Sequence, residues 1–196
     1  MMGKLSFKSL FLVPAVYVVT CLPAWIIGRN LGELLLLYPN QVESFDQLTL
    51  NAPTFYALID NSVNYLFNNA GVIVAGALVM LAVYALYKLR PNLTPDLMVT
   101  LAAVCLLLIV YLLPKMHERY FFPAEVFFLL AAFYRPRLAW VVVALQVTAL
   151  STYVSYFFGG TFLPLPIASL VNLAVLVLVL MDAGRLPHLK RLAEAG

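Results

Sequence analysis

The feature that most constrains this chain is a succession of long apolar runs that carry almost no charge. Six such runs are found, at 11–27, 71–87, 97–113, 121–134, 138–158 and about 166–181. A helix needs roughly 20 apolar residues to span a bilayer, and in lipid its backbone must be hydrogen-bonded internally. With 64% hydrophobic and only 11% charged residues, the chain does not read as a soluble domain. The sequence therefore predicts an all-α, polytopic membrane helical bundle of about six spans, with residues 1–196 forming a single transmembrane domain.

The distribution of positive charge predicts how the spans are oriented. If the N-terminus is cytoplasmic, nine of the twelve Lys and Arg residues fall on the cytoplasmic side: Lys4, Lys8, Lys88, Arg90, Arg135, Arg137, Arg185, Lys190 and Arg191. This bias matches the positive-inside rule. We therefore expect a multi-pass protein of the cell (inner) membrane with both termini cytoplasmic. The loops at 38–70 and 114–123 should then be extracytoplasmic, and the tail at 182–196 cytoplasmic.

The loop at 114–123 has the densest chemistry, because Lys115, His117, Glu118, Arg119 and Tyr120 lie together between two apolar runs. Ionisable groups at a membrane boundary are either functional or paired with one another. The Arg guanidinium is a planar fork suited to phosphate oxygens, and His exchanges a proton near neutral pH. One interpretation is a phosphate-binding turn. The other is a charged turn with snorkelling side chains, in which Arg119 forms a structural ion pair with Glu118 or Glu125.

The loop at 38–70 mixes aromatic, amide and apolar residues. Tyr38, Gln41 and Asn51 are its candidate substrate-contacting residues, since amides can orient sugar hydroxyls. The same composition is typical of an amphipathic segment on the membrane surface or of an ordered connecting loop that turns at Pro53. If this loop and the charged loop serve one site, the segment from Gln41 to Pro53 should lie close to His117.

The remaining polar and sulfur-containing residues predict little chemistry. Polar positions inside the apolar runs, such as Gln146, Thr148 and Asn172, are expected to hydrogen-bond between helices. Cys21 and Cys105 lie in apolar runs and have no CxxC partner. No metal site is predicted, no cofactor is indicated beyond an open question about a divalent metal, and no nucleic-acid partner is expected.

The segment from Leu113 to Ala124, with the sequence LPKMHERYFFPA, resembles a pattern near the C-terminus of bacterial predicted membrane mannosyltransferases. These are relatives of the transferase that adds the second mannose to GPI anchors, in the GT-C glycosyltransferase superfamily. The stretch from Leu22 through Arg29, followed by Tyr38, Gln41 and the 48–53 segment, is similar to the part that precedes the pattern in that family. The resemblance covers about two thirds of the chain.

The resemblance implies inverting transfer of a sugar, most simply mannose, from a polyprenyl-phosphate donor on the extracytoplasmic face. His117, Arg119 and Lys115 would bind the donor phosphate, with Glu118 and Tyr120 supporting the motif. The catalytic carboxylate of the family lies in an N-terminal half that residues 1–196 do not include, so the catalytic residue is not identified.

Several interpretations are open at this point. The chain is a fragment, a split subunit that needs an N-terminal-half membrane partner, or an inactive relative. The alternative function is a non-catalytic membrane scaffold or transporter component built on the same fold. Transport is disfavoured because the charges lie at the span boundaries, apart from Glu125.

Overall fold

The computed structural model describes residues 11–37, 45–60, 62, 64–89 and 94–184. The chain forms two compact units, Met1–Asp46 and Gln47–Gly196, where a single domain is expected from the sequence. The candidate residues Tyr38 and Gln41 lie outside the described residues, as does the predicted tail beyond residue 184.

The first unit contains a helix and a short helical turn. Helix α1 spans Leu12–Ile26, and α2 spans Leu31–Leu35. The side chain of Asn30 caps α2 by accepting a hydrogen bond from the backbone N–H of Gly32 at 2.8 Å. The Tyr17 hydroxyl donates to the carbonyl of Leu34 at 3.0 Å and so ties α2 back to α1.

The second unit is a helical bundle with one small strand pair. Its α-helices are α3 (Asn64–Leu89), α4 (Pro95–Leu112), α5 (Phe122–Tyr134), α6 (Ala139–Phe158) and α7 (Leu165–Gly184). Short 3-10 turns cover Phe55–Leu58, Glu118–Phe121 and Pro136–Leu138. Strands β1 (Thr49–Leu50) and β2 (Met116–His117) pair with each other. The prediction of an all-α helical bundle is confirmed.

Four stretches are long and apolar enough to cross a membrane: Ala70–Lys88, Pro95–Leu112, Pro136–Phe158 and Leu165–Asp182. The other two predicted spans are shorter. The apolar helix Pro14–Ile26 is one, and α5, with 13 residues, is the other. At 1.5 Å per residue α5 is about 20 Å long, less than the roughly 30 Å hydrocarbon core.

Despite its length, α5 connects the two ends of the second unit. At its C-terminal end, Arg135 donates to Asp96 at the start of α4, with 2.6 Å between Nη2 and Oδ2. Arg137 pairs with Asp182 near the end of α7, at 3.0 Å. The N-terminal end of α5 follows the 3-10 turn that lies beside the strand pair. Helices α4 and α5 therefore run in opposite directions, and so do α6 and α7.

The apolar residues of the second unit face both inward and outward, as expected for a bundle in lipid. The core packs around fully buried side chains of α4 to α7, among them Leu107, Phe128, Leu145 and Val175. Large apolar side chains also cover the outside, and Phe133 is 79% exposed. A surface this apolar is costly in water and is matched by a lipid environment.

Candidate functional site

The candidate site is built where the loop before α3 meets the loop between α4 and α5. The two strands run parallel, with Thr49 opposite Met116 and Leu50 opposite His117. The backbone N–H of Lys115 also donates to the carbonyl of Leu48 at 2.8 Å. The prediction that these two loops lie close together is confirmed over residues 48–51.

Two residues beside this strand pair adopt an unusual backbone conformation. Asn51 has a φ of 55° and Lys115 a φ of 60°, and they are the positive-φ non-glycine residues in the described part of the chain. A left-handed conformation is uncommon for a residue with a Cβ, and such strain concentrates at functional sites. The strand hydrogen bonds and the packing around them must hold both residues in place.

A buried set of hydrogen bonds holds the loop after β1 between the helices. The Asn172 amide donates to the Pro53 carbonyl at 3.1 Å, and the Ser169 hydroxyl donates to the Thr54 carbonyl at 2.6 Å. Asn51 donates through Nδ2 to the Thr152 carbonyl at 2.9 Å. Non-helical backbone is tolerated within a membrane protein when protein groups satisfy it in this way.

This arrangement decides between the two interpretations of the loop. Leu48 and Ala52 are 1% and 0% exposed, and Thr54 is fully buried. Over residues 48–54 the surface-lying amphipathic segment is therefore wrong, and the ordered loop that turns at Pro53 is what forms. The reason is that α7 donates hydrogen bonds to two loop carbonyls and α6 offers a carbonyl to the Asn51 amide, whereas the hydrocarbon of a bilayer offers neither.

The same hydrogen bonds continue between the helices. The Thr148 hydroxyl of α6 donates to the Oδ1 of Asn172 in α7 at 3.1 Å, and the Tyr111 hydroxyl of α4 lies 3.3 Å from the Ser169 hydroxyl. All four side chains are buried. The predicted interhelical role of Thr148 and Asn172 is confirmed, whereas Tyr111 and Ser169 were not singled out from the sequence. The only feature of the sequence that could have indicated Tyr111 and Ser169 is that each is a polar residue within an apolar run.

The charged turn is organised around the Tyr120 ring. The His117 ring meets it edge to face, with the ring centroids 5.8 Å apart, and the Arg119 guanidinium lies 5.8 Å from its centroid. The His117 Nδ1 is 3.9 Å from the Glu118 Oε2. Tyr120 therefore contacts both His117 and Arg119, two of the three residues expected to bind phosphate, and Glu118 lies beside His117.

Arg119 is exposed and makes no ion pair with any described residue. The predicted alternative, in which it pairs with Glu118 or Glu125, is therefore wrong. Glu118 lies beside His117, and Glu125 accepts a hydrogen bond from the Gln146 amide at 3.2 Å. The exposed guanidinium contacts the Tyr120 ring.

The other predicted phosphate and substrate residues are less accessible. Lys115 is only 9% exposed. Asn51 uses its amide nitrogen for the Thr152 carbonyl, so that only its side-chain oxygen could meet a substrate. Of the candidates that the structure describes, His117 and Arg119 therefore form the centre of the site.

Burial, and secondarily the positive charge of Arg119, lowers the pKa of His117 below its usual range, while the Glu118 carboxylate opposes the shift. The imidazole is therefore neutral at pH 7. An anion bound beside the His117 imidazole would favour its protonation, so the charge of His117 can respond to the charge of a ligand. Within the described residues no group of three His, Cys, Asp or Glu side chains converges to hold a metal ion.

Together, the fold and composition define a polytopic α-helical membrane protein with an ordered loop site at one end of its bundle. No protein-family model, curated protein or solved structure matches the chain.

Proposed function

We propose that this chain is the donor-binding, C-terminal part of an inverting glycosyltransferase of the GT-C type. It would use a polyprenyl-phosphate sugar, most simply mannose, on the extracytoplasmic face of the cell membrane. The observation that carries the proposal is the exposed Arg119 guanidinium, which has no ion-pair partner among the described residues and stands beside His117 in a turn held by strand pairing. The resemblance of residues 113–124 to the mannosyltransferase pattern supports the same assignment.

The chemistry asked of these residues is stabilisation of the leaving group. Negative charge develops on the carrier phosphate as the glycosidic bond breaks, and preorganised donors there lower the barrier. Arg119 offers a bidentate fork, and His117 offers an N–H. By analogy with oxyanion holes, removing one such donor costs about 2.7–4 kcal/mol of transition-state stabilisation. The catalytic carboxylate would come from an N-terminal-half membrane subunit or segment, as the resemblance implies.

Donor binding tests this assignment directly. The purified chain in nanodiscs would be titrated with a short polyprenyl-phosphate mannose, and Arg119→Lys compared with the natural protein. Because Lys presents a point charge in place of a fork, we expect about tenfold weaker binding with unchanged thermal stability. Arg137→Lys is the matched control, since Arg137 is also exposed but pairs with Asp182 at the opposite end of the bundle.

Two outcomes would reject the donor site. One is full affinity in Arg119→Lys and Arg119→Gln. The other is an equal loss in Arg137→Lys, which would indicate unspecific attraction to a cationic protein. Either outcome would favour the non-catalytic scaffold. A transfer assay with and without a candidate N-terminal-half partner then tests whether binding leads to catalysis.

The proposal also requires the site to face outward, with both termini cytoplasmic. After replacement of Cys21 and Cys105 by Ala, a single cysteine is placed at position 51 or at position 92. A membrane-impermeant maleimide added to intact cells should label position 51 and spare position 92. Labelling of position 92 alone would invert the topology and remove the site from the side where a lipid-linked sugar is expected.

A further inference from the structure

A groove of about 620 Å³ lies between α5 and α6, beside the charged turn. Its walls are mainly apolar and are formed by Phe122, Val126, Leu129 and Val142. Phe122 follows directly on the 3-10 turn Glu118–Phe121. From Phe122 to Leu129 the groove follows α5 for about 10 Å, at 1.5 Å per residue. It therefore offers an apolar channel that begins at the end of the bundle where the loop site lies.

Three polar side chains interrupt this apolar lining: Glu125, Gln146 and Tyr153. Glu125 is only 9% exposed, and its Oε2 accepts a hydrogen bond from Gln146 at 3.2 Å. Its other carboxylate oxygen and the Tyr153 hydroxyl make no hydrogen bond with any described residue. No described cation lies within ion-pair distance of Glu125. A buried carboxyl group with one neutral partner is costly, and an added hydrogen-bond donor would reduce that cost.

The arrangement selects among the polar ends that a bilayer amphiphile can carry. A hydroxyl needs one acceptor and can accept from one donor, and the groove lining offers Glu125 as an acceptor and Tyr153 as a donor. A phosphate or an ammonium would bring a full charge into a groove whose walls are mainly apolar, which costs more free energy than placing a neutral hydroxyl there. The apolar walls suit the hydrocarbon chain behind the polar end.

We propose that this groove binds the hydroxyl end of a membrane lipid alcohol, with Glu125 as the acceptor, Tyr153 as the donor and Gln146 holding the carboxyl group in place. The hydrocarbon chain lies along Val126 and Leu129. The site is separate from the donor-phosphate site and does not depend on the proposed function. It lies beside the charged turn, because its lining residue Phe122 follows directly on the 3-10 turn Glu118–Phe121.

Photolabelling of the full chain in nanodiscs tests the proposal. The probe is an octadecanol with a diazirine in its chain, and the matched probes carry a methyl ether or a phosphate in place of the hydroxyl. We expect the alcohol to label the segment from Val126 to Leu129, or Val142, and unlabelled octadecanol to compete. The methyl ether loses the donated hydrogen bond and should label about tenfold less.

Two variants separate binding from folding. Glu125→Leu removes the acceptor and should reduce alcohol labelling about tenfold, to the level of the methyl ether. If Glu125→Leu is unstable, Val126→Phe keeps the polar groups, fills the groove and should reduce labelling in the same way. The proposal is overturned if the phosphate probe labels the groove as strongly as the alcohol does. It is also overturned if the alcohol labels the lipid-facing surface evenly in the natural protein and in a folded variant.

Discussion

Replacing Asn172 by Leu should destabilise the protein by disconnecting the loop after β1 from α7. Asn172 is fully buried and donates to the Pro53 carbonyl at 3.1 Å while accepting from the Thr148 hydroxyl. Leu has a similar volume and no polar atoms. The change therefore leaves the Pro53 carbonyl buried without its donor, in a place that water does not reach.

The size of the destabilisation depends mainly on the Pro53 carbonyl that is left without a donor. A buried polar group that loses its partner costs about 1–3 kcal/mol. Interhelical hydrogen bonds in a membrane protein are worth about 0.6 kcal/mol on average and about 1.7 at most, since the unfolded chain in lipid also finds partners. We expect Asn172→Leu to lower the free energy of unfolding by about 2 kcal/mol, the unsatisfied Pro53 carbonyl contributing more than the bond to Thr148.

Thr148→Val is the matched control. It removes the same interhelical bond from the other side and leaves the bond between Asn172 and Pro53 intact. The Thr148 hydroxyl shares its one proton between the Leu145 carbonyl, at 2.9 Å, and the Asn172 Oδ1, at 3.1 Å, so this interhelical bond is weak and the expected cost is about 0.6 kcal/mol. Reversible unfolding in mixed micelles gives both values, and amide hydrogen exchange of residues 51–54 should rise only in Asn172→Leu. If Asn172→Leu costs no more than Thr148→Val, the loop is held by something other than this hydrogen bond.

Three further predictions use thermal unfolding in detergent. The pKa of His117 is lowered in the folded protein, so the unfolded chain takes up a proton first as the pH falls, and stability should decrease below about pH 6.5. His117→Gln should make stability depend less on pH in that range. A Cβ on Gly71 would collide with the Tyr56 hydroxyl, so Gly71→Ala should cost about 1–3 kcal/mol. Gly76→Ala, which meets open space, should be neutral or slightly stabilising, and equal effects at the two glycines would contradict the packing. Asp96→Asn removes the counter-charge of the buried Arg135 but keeps a hydrogen-bond acceptor. Because the Asp96 side chain is 34% exposed, we expect the free energy of unfolding to fall by about 1–2 kcal/mol, less than for a fully buried pair. No change in stability would show that water already screens the pair.

The helices could be predicted from the sequence because an uncharged apolar run of this length has few other solutions. The meeting of the two loops could also be predicted, since His117 and Asn51 were assigned to one site on chemical grounds. The strand pairing that joins them could not, because two-residue strands leave no periodic signal. The left-handed conformation of Asn51 and Lys115 was equally hidden, since neither is a glycine.

The polar contacts were predicted only in kind. Interhelical hydrogen bonds from Thr148 and Asn172 were expected, but not that Asn172 would reach Pro53. For Glu125, Arg119 was one expected partner, whereas in the structure Glu125 accepts a hydrogen bond from Gln146. Which residues meet across a bundle depends on the rotation of each helix, and a helix that is apolar on most sides carries little information about its rotation.

The loop that carries Asn51 is held by hydrogen bonds from residues that lie far towards the C-terminus of the chain. Ser169 and Asn172 are 115 and 119 positions from the carbonyls they bind. During synthesis from the N-terminus, α3 to α6 are therefore made before α7 can supply either hydrogen bond. The loop acquires its final support only when α7 joins the bundle. Completion of the loop site is thus a late event in biogenesis. A nascent chain that stops before residue 169 would contain α3 to α6 but neither of these two hydrogen bonds to the loop.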